Sequence, residues 1–480
     1  MPKFVHLLIV LCLISLVFGV CSAQIDEFVE LSNYAELSDF VLNQNGAVSA
    51  VVELQECKSN DTVSRRSVVS YALDQWISYK PFDAAGVLRT TKNYVAPEEE
   101  FLFVKYEASE DDSLTVLVET LDPLSLEMTF SAVFTCTIGS SAKFFARAVN
   151  HDHEEFGTYE DTKTALLNGR TLRTKTNITS CANVDWTGNN VEILHASTII
   201  QAWDIINEGT DSEIINIRYS FWVDYFVSES VGVESISITL KPDGSVEMFP
   251  QIVDLANGNV AIPFENGYTC QLSSSFRLFA PGISGPLPGL ETFGDILANL
   301  QSGQQQEFVI NAEDCAWEIL PDDGFELQPL KFGTKVGYWD VAYDLDSKRL
   351  INYYSSRYLD DQILEQNQYS MHESGTFTGT RNLINIWNGQ ITRQLSPTCN
   401  LGSGVTFSGG QRVRTELKNY GELLEAALAG RRVNFEILLG GCNGPESSAY
   451  FGGTIHDFYL EESEGHLDQN NRLSLYSVGD

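Results

Sequence analysis

Apolar positions recur along this chain with two periods. Tyr420, Leu423, Leu424, Ala427 and Leu428 fall at i, i+3, i+4, i+7 and i+8, one face of a helix. Gly430 follows where a C-terminal cap belongs. Val433, Phe435 and Ile437 then alternate with Asn434 and Glu436, which reads as a strand, and Cys442 follows. The same order occurs three times earlier. Phe293, Ile296, Leu297 and Leu300 precede Gly303, the Phe308–Ile310 run and Cys315. Tyr34, Leu37 and Val41 precede Gly46, Val51, Val52 and Cys57. Tyr159, Leu166 and Leu167 precede Gly169 and Cys181, with a poorer strand between. The aromatic-to-cysteine distances are 23, 22, 22 and 22 residues, and the starts lie 125, 134 and 127 residues apart. Four matches in register point to a long-period repeat.

Three of the repeats also end alike. Cys136-Thr-Ile-Gly-Ser140 leads to Phe144, Cys270-Gln-Leu-Ser-Ser274 to Leu278, and Cys399-Asn-Leu-Gly-Ser403 to Phe407. Each full unit therefore holds an early and a late cysteine. This predicts three disulfides, Cys57 with Cys136, Cys181 with Cys270 and Cys315 with Cys399. Between the helix and the late cysteine lie β-branched and aromatic runs such as Phe101–Val104, Leu114–Val118, Ile215–Val223, Ile236–Leu240 and Val336–Tyr343. Lys241-Pro-Asp-Gly244 marks a tight turn between two of them. The expected fold class is α+β: a tandem repeat of small disulfide-bonded domains, each an N-terminal helix followed by an antiparallel sheet. The expected boundaries are 1–23 for a signal peptide, 24–150, 151–288 and 289–410 for three units, and 411–480 for a partial fourth.

The N-terminus sets the compartment. Met1–His6 carries Lys3, Leu7–Val20 is apolar, and Cys21-Ser22-Ala23 offers small residues before Gln24. This reads as a cleaved secretory signal, its apolar stretch being short for a membrane span. Cys12 and Cys21 leave with it, and the remaining seven cysteines meet an oxidising environment. Cys442 has no late partner. It reads as the sign of a truncated last unit, with an intermolecular disulfide linking two chains and a buried free thiol as alternatives. Asn60 and Asn177 head acceptor sequons for glycosylation.

The aromatic–Leu–Leu/Val–Gly–Cys order, a segment such as Phe451–Phe458, and the terminal Cys-x-Ile/Leu-Gly/Ser-Ser motif resemble the VirK family of small secreted or periplasmic domains. The resemblance covers nearly the whole chain after the signal, as three full copies and one partial. It implies secretion and a compact disulfide-bonded unit. It implies no catalytic residue.

Charge and chemistry narrow the function. With 65 acidic and 30 basic residues the net charge is −35, which argues against a nucleic-acid partner. A nucleophile elbow, a zinc-protease helix, a phosphate loop and an EF-hand are all absent from the sequence. His151-Asp-His153 is the one close histidine pair and lacks an evident third metal ligand, and His195, His372, His456 and His466 have no echo in another repeat. Scattered acids such as Asp224 and Glu234 are not singled out by any motif. No cofactor and no catalytic or metal-ligating residue is expected. Trp203, Trp222, Trp339 and Trp387 read as core rather than as sugar-stacking faces. Short acidic clusters, Glu98–Glu100, Glu110–Asp112, Glu154–Glu155, Asp322–Asp323, Asp360–Asp361 and Glu461–Glu464, suit solubility, or weak many-fold Ca²⁺ binding at the surface. The expected function is a secreted, acidic, non-enzymatic extracellular matrix protein of a calcified shell or skeleton, whose partners are matrix components or mineral. The alternative is a soluble binding module for carbohydrate or protein.

Overall fold

The computed structural model describes residues 28–476 except 45–47, 60–65, 74, 82–85, 96–100, 122–127, 148–153, 183–190, 226–229, 255–259, 264–266, 281–287, 302–305, 322–329, 337, 344–347, 359–362, 386–389, 410–416, 418, 429–432, 439–449, 456 and 463–471. For naming, each helix and the strands around it form a segment. Segment one contains β1 (Phe28–Leu31), α1 (Tyr34–Asp39), β2 (Val48–Glu53), β3 (Lys58–Ser59), β4 (Arg66–Ala72), β5 (Trp76–Pro81), β6 (Val87–Val95), β7 (Phe101–Ser109), β8 (Ser113–Leu121), β9 (Met128–Thr137) and β10 (Ala142–Arg147). Segment two contains β11 (Glu154–Glu155), α2 (Tyr159–Leu167), β12 (Arg173–Asn177), β13 (Val191–Ile199), β14 (Ala202–Ile206), β15 (Ile214–Tyr225), β16 (Ser230–Leu240), β17 (Ser245–Asp254), β18 (Val260–Pro263), β19 (Tyr268–Gln271) and β20 (Phe276–Ala280). Segment three contains β21 (Gly289–Leu290), α3 (Phe293–Gln301), β22 (Gln306–Asn311), β23 (Ala316–Leu320), β24 (Leu330–Lys335), β25 (Tyr338–Tyr343), β26 (Arg349–Tyr358), β27 (Ile363–His372), β28 (Thr376–Asn385), β29 (Ile391–Asn400) and β30 (Val405–Gly409). Segment four contains α4 (Tyr420–Leu428), β31 (Val433–Leu438), β32 (Tyr450–Ile455), β33 (Asp457–Glu462) and β34 (Arg472–Tyr476).

The helices begin where the aromatic pattern places them, and each start is a reciprocal cap. Asn33, Thr158, Thr292 and Asn419 accept from the backbone N–H three residues on, at 2.9–3.1 Å. In each case that third residue is Glu or Asp. Its carboxylate reaches back, as Glu36 does to the Ser32 N–H and Asp295 to the Thr292 N–H. α2 closes with the N–H of Gly169 on Leu166 O and that of Arg170 on Ala165 O, with Gly169 at φ +65°. The Gly303, Gly46 and Gly430 caps lie outside the described residues. The helices run six to nine residues. Tyr34, Tyr159 and Phe293 are buried, whereas Tyr420 is exposed.

Strands dominate, and they do not stay within their segments. Four antiparallel sheets are present among the described residues. Sheet one runs β1-β10-β2-β4-β33-β34 and sheet two β11-β20-β12-β13-β5-β6-β7-β8-β9-β3. Sheet three runs β18-β17-β16-β15-β14-β24-β22-β30-β21, with β19 on β17, and sheet four β23-β29-β28-β27-β26-β25-β32-β31. Every sheet joins the helix-proximal strands of one segment to the later strands of another. β13 pairs with β5, β24 with β14, β32 with β25, and β4 with β33. The last pairing links segment four back to segment one, so the four segments form a closed cycle of strand pairings.

This overturns the expected α+β architecture of self-contained helix-plus-sheet domains. The fold is mostly β, built on large shared sheets. Helices about 13 Å long, at 1.5 Å per residue, cover little of a sheet. An open strand edge exposes unpaired N–H and C=O groups, and here the neighbouring segment's strand satisfies them. Each segment thus contributes to two sheets, and among the described residues segments one, two and three each centre on a buried cluster. In segment three that core gathers Phe308, Tyr353, Tyr369, Phe377 and Phe407, with Phe308 5.4–5.7 Å from each of the other four rings. Burying one such side chain stabilises the fold by roughly 1.5–3 kcal/mol. No described helix is long and apolar enough to cross a membrane.

Candidate functional site

The chain passes from one shared sheet to the next within each segment, and in segments one to three a disulfide ties the crossing. Cys57, just after β2 of sheet one, joins Cys136 on β9 of sheet two. Cys181, after β12 of sheet two, joins Cys270 on β19, which belongs to sheet three. Cys315, after β22 of sheet three, joins Cys399 on β29 of sheet four. The partners are 79, 89 and 84 residues apart. The surroundings recur. A single 3-10 turn leads into Cys57, Cys181 and Cys315, each donating its N–H to the carbonyl three residues back. The residue four before each early cysteine donates its N–H to the carbonyl five after the late one: Glu53 to Ser141 at 2.8 Å, Asn177 to Ser275 at 2.7 Å and Asn311 to Gly404 at 2.8 Å.

The densest charged chemistry lies between segments two and three. Asp204 sits mid-strand on β14, between Asn216 on β15 and Phe332 on β24. Its carboxylate oxygens lie 4.0 Å from Arg218 Nη1 and 4.0 Å from Arg381 Nη2. Arg381, on β28, donates from Nε to Glu365 Oε2 at 2.8 Å, and its guanidinium lies 5.3 Å from the Phe332 ring centre. Asn367 Nδ2 donates to the other Glu365 oxygen at 2.8 Å. Burial works against the Arg381 charge, but Glu365 and then Asp204 hold it protonated far above the usual range. At the same junction Lys163 of α2 meets Glu213 at 2.8 Å and Glu208 at 3.2 Å, while Lys331 of β24 meets Glu208 at 2.7 Å. Burial raises the carboxyl pKa of Glu307, on β22, to about 7, opposed by the Thr171 hydroxyl that donates to it and by Lys335.

Segments one and two meet where β13 pairs with β5, one strand away from β12. Its Arg173-Thr-Lys-Thr sequence reads as a poor strand, yet all four residues are buried. Lys175 faces Arg277 in register. Burial, then Arg277 and Arg173, push the Lys175 pKa down to about 8, against the pull of Asp39 at the end of α1. Within segment one, Arg89 meets Glu107 at 2.6 Å and Tyr79 at 2.9 Å, and burial pushes the Tyr79 phenol up to about 12. These networks were not singled out from the sequence. A sequence signal exists for Asp204, a lone charge within the otherwise apolar Ala202–Ile206 strand, whereas Arg89, Lys175 and Arg381 lie in polar stretches that carry none.

The other sequence candidates are scattered. His195 lies half-buried on β13, its pKa lowered by burial and by Lys175, and His372 on β27 meets Thr378 Oγ1 at 2.9 Å. His151, His153, His456 and His466 lie outside the described residues, as do Cys442 and Asn60. Asn177 ends β12, and its side-chain oxygen accepts from Thr179 Oγ1 at 2.8 Å. Asp224 and Glu234 stand on paired strands opposite Val231 and Phe221. Trp203 and Trp339 are buried, Trp222 lies on β15, and Trp387 is outside the described residues. Among the acidic clusters, Asp111 accepts from the N–H and hydroxyl of Ser113, Asp112 accepts from the Tyr34 N–H at 2.7 Å, and Glu154 and Glu155 pair with Arg170 and Arg277. Glu461 and Glu462 lie on β33, and the remaining clusters fall outside the described residues. Among the described residues no group of three or more His, Cys, Asp or Glu is placed to hold a metal ion.

No protein-family model matches the chain, and no curated protein matches it. Among solved structures, a VirK family protein from Legionella pneumophila is 18% identical, spanning 25% of this chain and 98% of its own, with a TM-score of 0.21. A likeness of that size decides neither fold nor role.

Proposed function

We propose that this chain is a secreted, acidic, non-enzymatic structural component of an extracellular matrix, with a calcified shell or skeletal matrix as its setting. The supporting observation is where its buried charge goes. Asp204, Glu365 and Arg381, and likewise Arg89 and Glu107, face one another across strands and segments. Groups committed in this way serve cohesion, and the surplus of 35 negative charges is left for the surface. Three disulfides are consistent with an oxidising compartment, and secretion extends that reading. The proposal includes glycosylation at Asn177, weak surface Ca²⁺ binding, and VirK-like character of the recurring cysteine segments, which rests on their spacing. The binding-module alternative loses two of its stacking candidates, since Trp203 and Trp339 are only 3% and 4% exposed.

Fractionation of the source tissue tests the reading. Recovery of the protein from the insoluble or mineral-bound fraction, with sedimentation on calcite at physiological calcium, is the expected result. Recovery as a freely soluble protein that ignores both calcite and Ca²⁺ would remove it.

A further inference from the structure

The same interface is built four times in this molecule. At three places it joins segments that follow one another in the chain, through β5–β13, β14–β24 and β25–β32. At the fourth it joins β33 of segment four to β4 of segment one, by five antiparallel residue pairs from Phe458↔Ser70 to Glu462↔Arg66. The helix makes the same assignment independently. Leu424 of α4 packs against Val51 on β2 and Val68 on β4, so segment four covers sheet one with its helix as well as with its strand. Val51 stands six residues before Cys57, and the residue six before Cys315 is Val309, which lies in the core of segment two. Segment four therefore approaches segment one as segment two approaches segment three.

This fourth interface is heterologous: the two surfaces that meet are different, and both lie on one chain. Such a contact closes into a ring when the rotation fits and otherwise continues from copy to copy. Only His456 separates β32, which is bonded to segment three, from β33, which is bonded to segment one. We propose that β4 is an exchange site for a second copy of this chain: β33 of one molecule takes the place of the molecule's own β33, giving head-to-tail oligomers bonded as the monomer is bonded to itself. The exchanged state re-forms the strand pairing and the helix contact in full. Concentration and the strain of the closed cycle then set the balance. The inference is independent of the matrix reading and holds for a soluble protein equally.

The test uses the full chain with Cys442→Ser, to silence that thiol. Val69 and Tyr459 are partners in the β4–β33 register. Three variants are compared: Val69→Cys, Tyr459→Cys, and the double Val69→Cys/Tyr459→Cys. They are concentrated, oxidised and run without reducing agent. If strands exchange, the mixed single variants form a covalent dimer that neither forms alone. While dimer is scarce, its fraction rises about tenfold for each tenfold rise in concentration. The double variant shifts over the same range from an internally closed monomer to a ladder. Internal closure of the double variant with no dimer from the mixture overturns the proposal, because β33 then never leaves its own chain. Failure of the double variant to cross-link at any concentration also overturns it, because β33 is then not on β4.

Discussion

Gly333 stands opposite Trp203 across the β14–β24 pair, and a Cβ at Gly333 would lie 2.4 Å from the indole Cζ2. The two residues belong to different segments, and the ring is 3% exposed, so it has nowhere to retreat. Gly333→Ala should therefore separate strands rather than fill space. Overpacking of this kind costs about 1–3 kcal/mol. Urea denaturation would show the midpoint falling with Gly333→Ala. An unchanged midpoint would mean that segments two and three do not meet through this strand pair.

The buried carboxyl of Glu307 predicts an unusual pH dependence. Its pKa is raised from 4.5 to about 7 in the folded chain. Between those values the folded protein keeps a proton that the unfolded chain has released. Stability then falls as pH rises through that window, and the full cost is reached above about 7. A shift of that size corresponds to about 3 kcal/mol. Glu307→Gln keeps an acceptor for the Thr171 hydroxyl and removes the charge. The variant should unfold at a higher urea concentration than the parent at pH 8 and at a matching one at pH 4. Parallel stability curves for the two proteins from pH 4 to 8 would refute the assignment.

Removing Arg381 leaves Glu365 and Asp204 buried beside each other's sheets without their shared cation. Breaking one member of a buried pair typically costs about 3–5 kcal/mol. Arg381→Met should cost that much, and Arg381→Met with Glu365→Gln less than the sum of the two single changes. A double-mutant cycle reads the coupling directly. Additive losses would argue that the two groups do not interact.

Each disulfide closes a long loop. In the chain-entropy model a loop of this length adds about 4–5 kcal/mol. Cys181→Ser with Cys270→Ser removes the staple between sheets two and three. The expected outcome is a thermal midpoint lowered by many degrees and a denaturation profile that splits into two transitions. One unchanged, sharp transition would show that the sheets are coupled without the staple.

Much of this molecule was legible in one sequence, for identifiable reasons. A helix start next to Tyr34, Tyr159, Phe293 or Tyr420 is a local matter of apolar spacing and a cap, and both are written within a few residues. The early and late cysteines of each segment carry their own ruler of spacing. The reciprocal caps were equally readable, as Asn or Thr followed three residues later by Glu or Asp. What could not be read is which strand edge meets which. The alternation in β13 or β24 specifies a strand and its faces, but it says nothing of whether the partner comes from its own segment or the one before. β12 shows the second limit. Its Arg173 and Lys175 look solvent-facing in sequence, yet both are buried in the fold, where β12 lies between β13 and β20.

The cyclic pairing changes what a single break in the chain can do. In a row of independent domains, one cut between neighbours lets the pieces drift apart. Here a cut between β20 and β21 leaves the two fragments bonded at two separate places, β14 on β24 and β33 on β4. A protease that nicks such a protein once releases no fragment. The molecule persists as a nicked whole, each fragment held at both of its junctions.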